Sequence, residues 1–216
     1  MSVTGTQLKP AFFNRDPRVV ARALLGKVLF RRTARGILAG RIVETEAYLG
    51  SGDYAAHVVA GKTARNAVLF GPPGFVYVYF IYGNHFCLNV SCLPDGVPGG
   101  VLFRALEPLA GIEEMARARG VHLNAGDLRR APERERVKLL RNFASGPGRM
   151  CEALGITRDR DNAKNLASPR SDLRVVDDGF RVRKIKVGPR VGITKSAEEL
   201  LRYGISGNPF VSRPPI

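Results

Sequence analysis

The stretch "RIVETEAYLG", Arg41 to Gly50, sets two carboxylates and a phenol at every second position: Glu44, Glu46 and Tyr48. They alternate with Val43, Thr45 and Ala47. Such alternation reads as a β-strand, whose successive side chains point to opposite faces, so the acids and the ring share one face. Same-face neighbours of this kind sit about 7 Å apart. Two carboxylates near that spacing suit hydrolysis of a glycosidic bond with inversion. A single carboxylate at a strand end, beside a loop that carries His57, suits a general base. The bland alternative is a solvated outer face of an antiparallel sheet. It would be preferred if Glu46 stood alone, but the strand runs directly into a segment rich in His, Tyr and Gly.

A second group of residues narrows the chemistry. In "FVYVYFIYG", Tyr77 and Tyr79 fall on one face and Val76, Val78 and Phe80 on the other. Core packing accounts for the valines and the phenylalanine, but a buried tyrosine hydroxyl needs a partner. Tyr82 stands just before Gly83-Asn84, at a hairpin tip. An exposed ring on a basic protein can enter a base stack; the competing reading is a tyrosine packed beside its turn. The chain is basic: 34 Lys and Arg against 19 Asp and Glu give a net charge of +15. That excess points to a polyanion, most often nucleic acid, ahead of a basic surface with no partner. Glycosidic chemistry on a basic protein calls for a substrate with both sugar and phosphate, and nucleic acid has both.

The elements that must position these groups follow from punctuation and period. With 216 residues and 44% apolar content, the chain can bury a sizeable core. No apolar run approaches the roughly 20 residues of a membrane span. The first residues lack a secretory apolar region, and Cys87, Cys92 and Cys151 are too few and scattered for a disulfide framework or a zinc site. A cytoplasmic, reducing location follows as an expectation. Asp16, Pro17 and Gly26 bound a helix with Val19, Val20, Ala23 and Leu24 as its apolar stripe. "KVLFRR" and "GILAGRIVETEAYLG" read as paired strands. Two β-rich runs flank Gly83-Asn84, which predicts a two-residue hairpin turn. "VLFRALEP" is a further strand. "LAGIEEMARARG" and "APERERVKLLRN" are helical and separated by a charged loop, and "SGPGRMCEALGI" is a loop feeding a helix. Residues 158–172 read as irregular, "LRVVDD" and "RKIKVGPRVGI" as late strands, and "NPFVSRPPI" as an extended tail. The expectation is one mixed domain over residues 1–216 of the α+β class. It has a largely antiparallel, curved sheet, a protruding β-hairpin and surrounding helices, with residues 1–10 as a flexible N-terminus.

"RIVETEAYLG", "AAH", "ARN", "VYVYFIYGNHFCLNVS", "RALEPLAG", "SGPGRMCEALGI" and "RVGI" followed by "GNPFVS" strongly resemble the alkyladenine (3-methyladenine) DNA glycosylase family of the mammalian type. The match runs in family order from about Phe12 to Ser212 and is weak over residues 158–185. The resemblance implies a monofunctional enzyme of base excision repair. It would flip an alkylated or deaminated purine, of the 3-methyladenine, 7-methylguanine, hypoxanthine and ethenoadenine class, out of double-stranded DNA and hydrolyse its N-glycosidic bond. It implies no metal, no cofactor and no lyase lysine, and action as a monomer. Glu46 maps onto the acid that activates water, and Arg104 onto the arginine that positions that water and a phosphate. Glu44 receives no catalytic role, only a structural hydrogen-bonding one. Tyr48, His57 and Tyr79 map onto the aromatic walls around the extruded base, where stacking is worth roughly 1–3 kcal/mol per base. The backbone at Ala55 and His57 would read the purine edge, and Asn89 would crowd the exocyclic amine of guanine. Tyr82 maps onto the wedge left in the duplex, and Tyr77 onto a tyrosine beside the pocket. Lys62, Arg65 and Arg149 are assigned to the DNA backbone, where they would set affinity and salt dependence.

Two departures stand out. Asn84 and His85 replace larger apolar or aromatic residues at the hairpin tip, and the "LPDGVPGG" loop is slightly longer than in the mammalian branch. The lack of that branch's long N-terminal extension points to a bacterial, nucleoid-associated protein. Two other readings compete. One is a non-catalytic nucleic-acid-binding module on the same fold, which has no use for a buried carboxylate beside bound phosphate. The other is a carbohydrate hydrolase, which would need both Glu44 and Glu46 and gains nothing from the positive charge.

Overall fold

The computed structural model describes residues 4–81, 83–123 and 125–216. Its strands are β1 (Thr6–Gln7), β2 (Val28–Thr33), β3 (Gly36–Tyr48), β4 (Val76–Ile81), β5 (His85–Ser91), β6 (Gly100–Ala110), β7 (Leu173–Asp177), β8 (Ile185–Gly188) and β9 (Arg202–Ile205). They pair antiparallel throughout in one open sheet, ordered β1-β7-β2-β3-β6-β5-β4, with β9 pairing both β3 and β8. The helices are α1 (Pro10–Phe13), α2 (Pro17–Leu24), α3 (Ile112–Ala118), α4 (Ala125–Arg130), α5 (Glu133–Ala144), α6 (Pro147–Ala153) and α7 (Arg158–Asp161). The architecture is α+β, as the sequence predicts. Among the described residues no helix is long and apolar enough to cross a membrane.

Local chemistry explains most element ends. The Asp16 carboxylate accepts from the Arg18 N–H, and Pro17 occupies the first turn of α2, a cap worth about 1 kcal/mol. The buried side of α2 is Pro17, Val20, Ala21 and Leu24, whereas Val19 faces solvent. Burial of Val20 and Leu24 contributes about 1.5–3 kcal/mol each. The hairpin β4–β5 forms where expected, but Ile81 pairs with His85, so three residues rather than two connect the strands. Only Asn89, Val90 and Ser91 of β5 pair with β6, so the hairpin's outer half runs past the sheet. Val76 and Val78 are buried as predicted, while Phe80 lies on that outer half, is 48% exposed and packs beside Phe86.

Several expectations give way to long-range pairing. The helix predicted from Leu109 begins only at Ile112, because β6 runs on to Ala110 against β3. The switch is made at Gly111, whose φ of +73° is left-handed and where a Cβ would stand 2.5 Å from the Ile37 carbonyl oxygen. Only glycine fits that approach. The charged loop before α5 contains the short helix α4, and the irregular segment 158–172 contains α7, capped by the Thr157 hydroxyl accepting from the Arg160 N–H. β9 has no sequence signal of its own and exists through its pairing with β3 and β8. Within the N-terminal segment expected to be flexible, Thr6 and Gln7 pair with β7 and Leu8 is buried.

Candidate active site

β3 is the centre of the construction. Its second half, Glu44–Glu46, pairs with β6 on one edge and with β9 on the other. Both backbone edges are satisfied there, and the solvated-face alternative is excluded: Glu44 and Glu46 are 0% exposed. Thr45, pointing the other way, donates its hydroxyl to the Ala21 carbonyl of α2. The two acids meet one guanidinium. Arg104 on β6 donates Nε–H to Glu44 Oε1 at 3.0 Å and its Nη1 lies 3.2 Å from Glu46 Oε1.

Beyond that shared arginine the acids differ. Glu44 also accepts from Arg202 Nε at 2.6 Å, from the Ser212 N–H at 2.6 Å and from the Ser212 hydroxyl at 3.0 Å. Three donors crowd Oε1 and the Ser212 N–H holds Oε2, so Glu44 anchors Arg104, Arg202 and the C-terminal segment, and it does not line the cavity described below. Glu46 accepts from the Val191 N–H at 2.8 Å on Oε1 and from the Tyr48 hydroxyl at 3.0 Å on Oε2. Burial raises the Glu46 carboxyl above its ordinary value; Arg104, the Val191 N–H and the Tyr48 hydroxyl pull against that, and the Glu44 charge adds to it. A carboxylate made more basic in this way is better matched to abstracting a proton near neutral pH.

Glu46 sits directly behind a cavity of about 380 Å³, whose walls include its partners Tyr48, Arg104 and Val191. The strand period builds the rest. Tyr77, Tyr79 and Ile81 of β4 and His85, Cys87 and Asn89 of β5 present one face to it. The loop after β3 brings Ala55 and His57 to the same space, and the start of α6 brings its N-cap Gly146 and, in the first turn, Arg149. The rings of His57 and Tyr79 meet edge to face at 4.4 Å, and Tyr77 stacks on Tyr79 at 5.4 Å. His57 Nδ1 is hydrogen-bonded to the Tyr77 hydroxyl at 3.1 Å. Burial and the nearby Arg65 charge hold the imidazole's pKa below its ordinary value, favouring the neutral ring. Burial also raises the Cys87 thiol to about 11. Asn89 is buried, its amide donating weakly to the Tyr77 carbonyl at 3.4 Å.

The cavity therefore gathers Tyr48, Ala55, His57, Tyr77, Tyr79, Asn89, Arg104 and Arg149, with Glu46 behind them. Arg65 is exposed at the rim, its guanidinium 5.9 Å from the Tyr79 ring centre, and Lys62 is exposed on the same loop without lining the cavity. Tyr82 lies outside the described residues. α6 comes so close to the hairpin that a Cβ on Gly148 would stand 2.8 Å from the His85 ring.

Four supporting residues escaped the sequence reading. Asn66 donates to the carbonyls of His57 and Gly61 at 2.8 and 3.0 Å and so holds the His57 loop. Val191 supplies the N–H on Glu46. Asp53 and Arg190 form a buried two-pronged ion pair at 2.6 and 2.8 Å. Asx-type hydrogen bonding was a usable signal for Asn66 and Asp53. No turn or cap pattern marks Arg190 or Val191: apart from the Ser196 carbonyl, to which Arg190 donates at 3.3 Å, their partners Ala47, Asp53 and Glu46 lie more than a hundred residues away in the chain.

The sequence model of the methylpurine-DNA glycosylase family matches residues 11–209. A Koribacter versatilis protein is 65% identical over 209 residues, covering 95% of this chain and 94% of its own. One from Burkholderia cenocepacia is 44% identical over 209 residues, 96% of this chain and 92% of its own. One from Methanocella arvoryzae is 44% identical over 191 residues, 88% of this chain and 86% of its own. All three have names that place them among the 3-methyladenine DNA glycosylases. With that match running through every element that builds the cavity, the chain belongs to the methylpurine-DNA glycosylase family, hydrolases of N-glycosyl bonds.

Proposed function

We propose that this chain, working as a single domain and as a monomer, excises damaged purines from double-stranded DNA on the bacterial nucleoid. The substrates are alkylated or deaminated bases: 3-methyladenine, 7-methylguanine, hypoxanthine and ethenoadenine. The nucleotide is turned out of the duplex, and its base enters between Tyr48 and the His57–Tyr79 pair. Electron-rich rings favour a cationic, alkylated purine. Asn89 crowds the place of guanine's exocyclic amine, so normal guanine is disfavoured. Tyr82 fills the gap in the stack, and Arg65, Arg149 and Lys62 contact phosphates.

In the chemical step Glu46 takes a proton from water as the water oxygen bonds to C1′ of the deoxyribose. The bond from C1′ to the purine nitrogen breaks, and its electron pair leaves with the base. A cationic 3-methyladenine departs neutral; hypoxanthine departs as an anion unless it is protonated. Arg104 holds the attacking water and the adjacent phosphate. As charge builds on the sugar, the Glu46 carboxylate also stabilises the oxocarbenium-like transition state.

The observation that carries this reading is the fully buried Glu46, its carboxyl made more basic by burial, behind a ring-walled cavity on a protein of charge +15. A pure binding module gains nothing from such an acid. The test is a gel-based excision assay on duplexes carrying hypoxanthine, 3-methyladenine or ethenoadenine. Base loss that requires Glu46 is expected; retention of all three duplexes without base loss would leave the binding-module reading in its place.

A further inference from the structure

We propose that Arg190, clamped by Asp53, is a positioning residue for the excision reaction: one guanidinium sets the Tyr48 ring, the turn leading to His57 and the Val191 N–H that holds Glu46. The proposal rests on the glycosylase reading above. Arg190 and Asp53 are 4% and 2% exposed and their side chains form two parallel bonds of 2.6 and 2.8 Å. Burying an ion pair is poor value for stability alone, since apolar residues of similar volume do as well or better. What a bidentate pair adds is fixed direction.

That direction is used at three places. The guanidinium carbon lies 4.8 Å from the Tyr48 ring centre, covering one face of the ring and leaving the other to the cavity. Since the Tyr48 hydroxyl is bonded to Glu46, the ring is held both at its face and at its tip. Asp53 accepts from the Leu49 N–H at 3.0 Å and the Ala55 N–H at 3.1 Å, closing the turn that leads to His57. Arg190 Nη1 also donates to the Ala47 carbonyl at 3.1 Å, which ties the segment after β8 to the end of β3. The next residue, Val191, then meets Glu46 Oε1 at 2.8 Å. Neither Arg190 nor Asp53 lines the cavity, so both act through the groups they hold.

The clamp has a titration signature. Glu46 faces Arg104 of β6, Tyr48 and Glu44 of its own strand, Cys87 of β5 and the Val191 N–H. Arg104 and Tyr48 are placed by other contacts too, whereas the Val191 N–H depends on the anchored Arg190. Loosening the clamp withdraws a donor that favours the ionised carboxylate, so Glu46 should titrate at higher pH.

The experiment compares wild type with Arg190→Lys, which keeps the charge and loses the fork, and Asp53→Asn. Folding is checked by circular dichroism. Glu46 is followed by carbon NMR of protein labelled at glutamate carboxyls, its signal identified by its loss in Glu46→Gln. The expected result is an upward move of the Glu46 titration and of the acid limb of the single-turnover rate. That rate should also fall by about tenfold or more, as expected for misplaced groups, with duplex affinity changed far less. A folded variant with both the Glu46 titration and the rate unmoved overturns the proposal. So does failure of both variants to fold, which would make the pair structural support alone. A wild-type protein that excises nothing refutes the glycosylase reading instead, because the carboxyl titration is read without turnover.

Discussion

Glutamine at position 46 is the sharpest perturbation the site permits. The side chain keeps its shape, and its Oε1 can still accept from the Val191 N–H and from Arg104 as the carboxylate does at 2.8 and 3.2 Å. On the other branch the new amide donates to the Tyr48 oxygen, whose hydroxyl hydrogen must turn away from its present 3.0 Å bond. Nothing in the cavity walls needs to move, so damaged duplex should bind as before. Only basicity and negative charge are lost. General-base catalysis is worth about 10²–10⁴-fold, or roughly 3–5 kcal/mol of barrier, and that is the expected fall in single-turnover excision. Stability should move the other way. The folded-state pKa of Glu46 is raised by burial, so the ionised acid destabilises the fold at pH above its ordinary value. That penalty is absent in acid and grows as pH rises towards the folded pKa. Glu46→Gln should therefore melt at or above the wild-type temperature near neutral pH, the difference vanishing in acid. Excision is read on alkali-cleaved gels, affinity by anisotropy, and melting by circular dichroism. Excision by the variant within a few-fold of wild type would refute the mechanism, whatever the melting temperature.

Other outcomes follow from the same geometry. The acid limb of the wild-type rate should lie above the ordinary carboxylate range, since activity requires ionised Glu46 and burial raises its pKa; a rate flat down to pH 4 contradicts this. Glu44→Gln should reduce stability by about 3–5 kcal/mol in denaturant titration, because it leaves Arg104 and Arg202 buried with a lost charge partner. Asn89→Ala should allow measurable release of undamaged guanine by opening the space its amide occupies, detected by chromatography of released bases.

Much of the site was legible because period-two alternation survives folding. Tyr77 with Tyr79, and Glu44 with Glu46, were assigned to shared faces, and each pair is found converging on a common neighbour: the cavity for the tyrosines, Arg104 for the acids. The residues singled out by the family resemblance include Tyr48, His57, Tyr79, Asn89 and Arg104 of the cavity wall, but not Ile81, Cys87 or Val191 beside them. What stayed hidden is what chain separation hides. β6 overrode a helical pattern at Leu109 because its pairing with β3 was satisfied up to Ala110. β9 carries no alternation strong enough to announce itself, yet it seals the edge of β3 opposite Glu44 and Glu46.

By itself the amino-acid sequence determined the charge, the strand and helix periods, the caps and the residue types able to perform glycosidic chemistry. Each depends on neighbours a few residues apart, and such forces act before the chain is folded. Which of the two acids anchors the C-terminal segment and which stands behind the cavity was decided only in the tertiary structure. Ser212 and Arg202 arrive from the far end of the chain to occupy Glu44, while Val191 and Tyr48 leave Glu46 poised behind the cavity. A carboxylate's role is set by burial and by the donors around it, and those are properties of packing that no local pattern encodes.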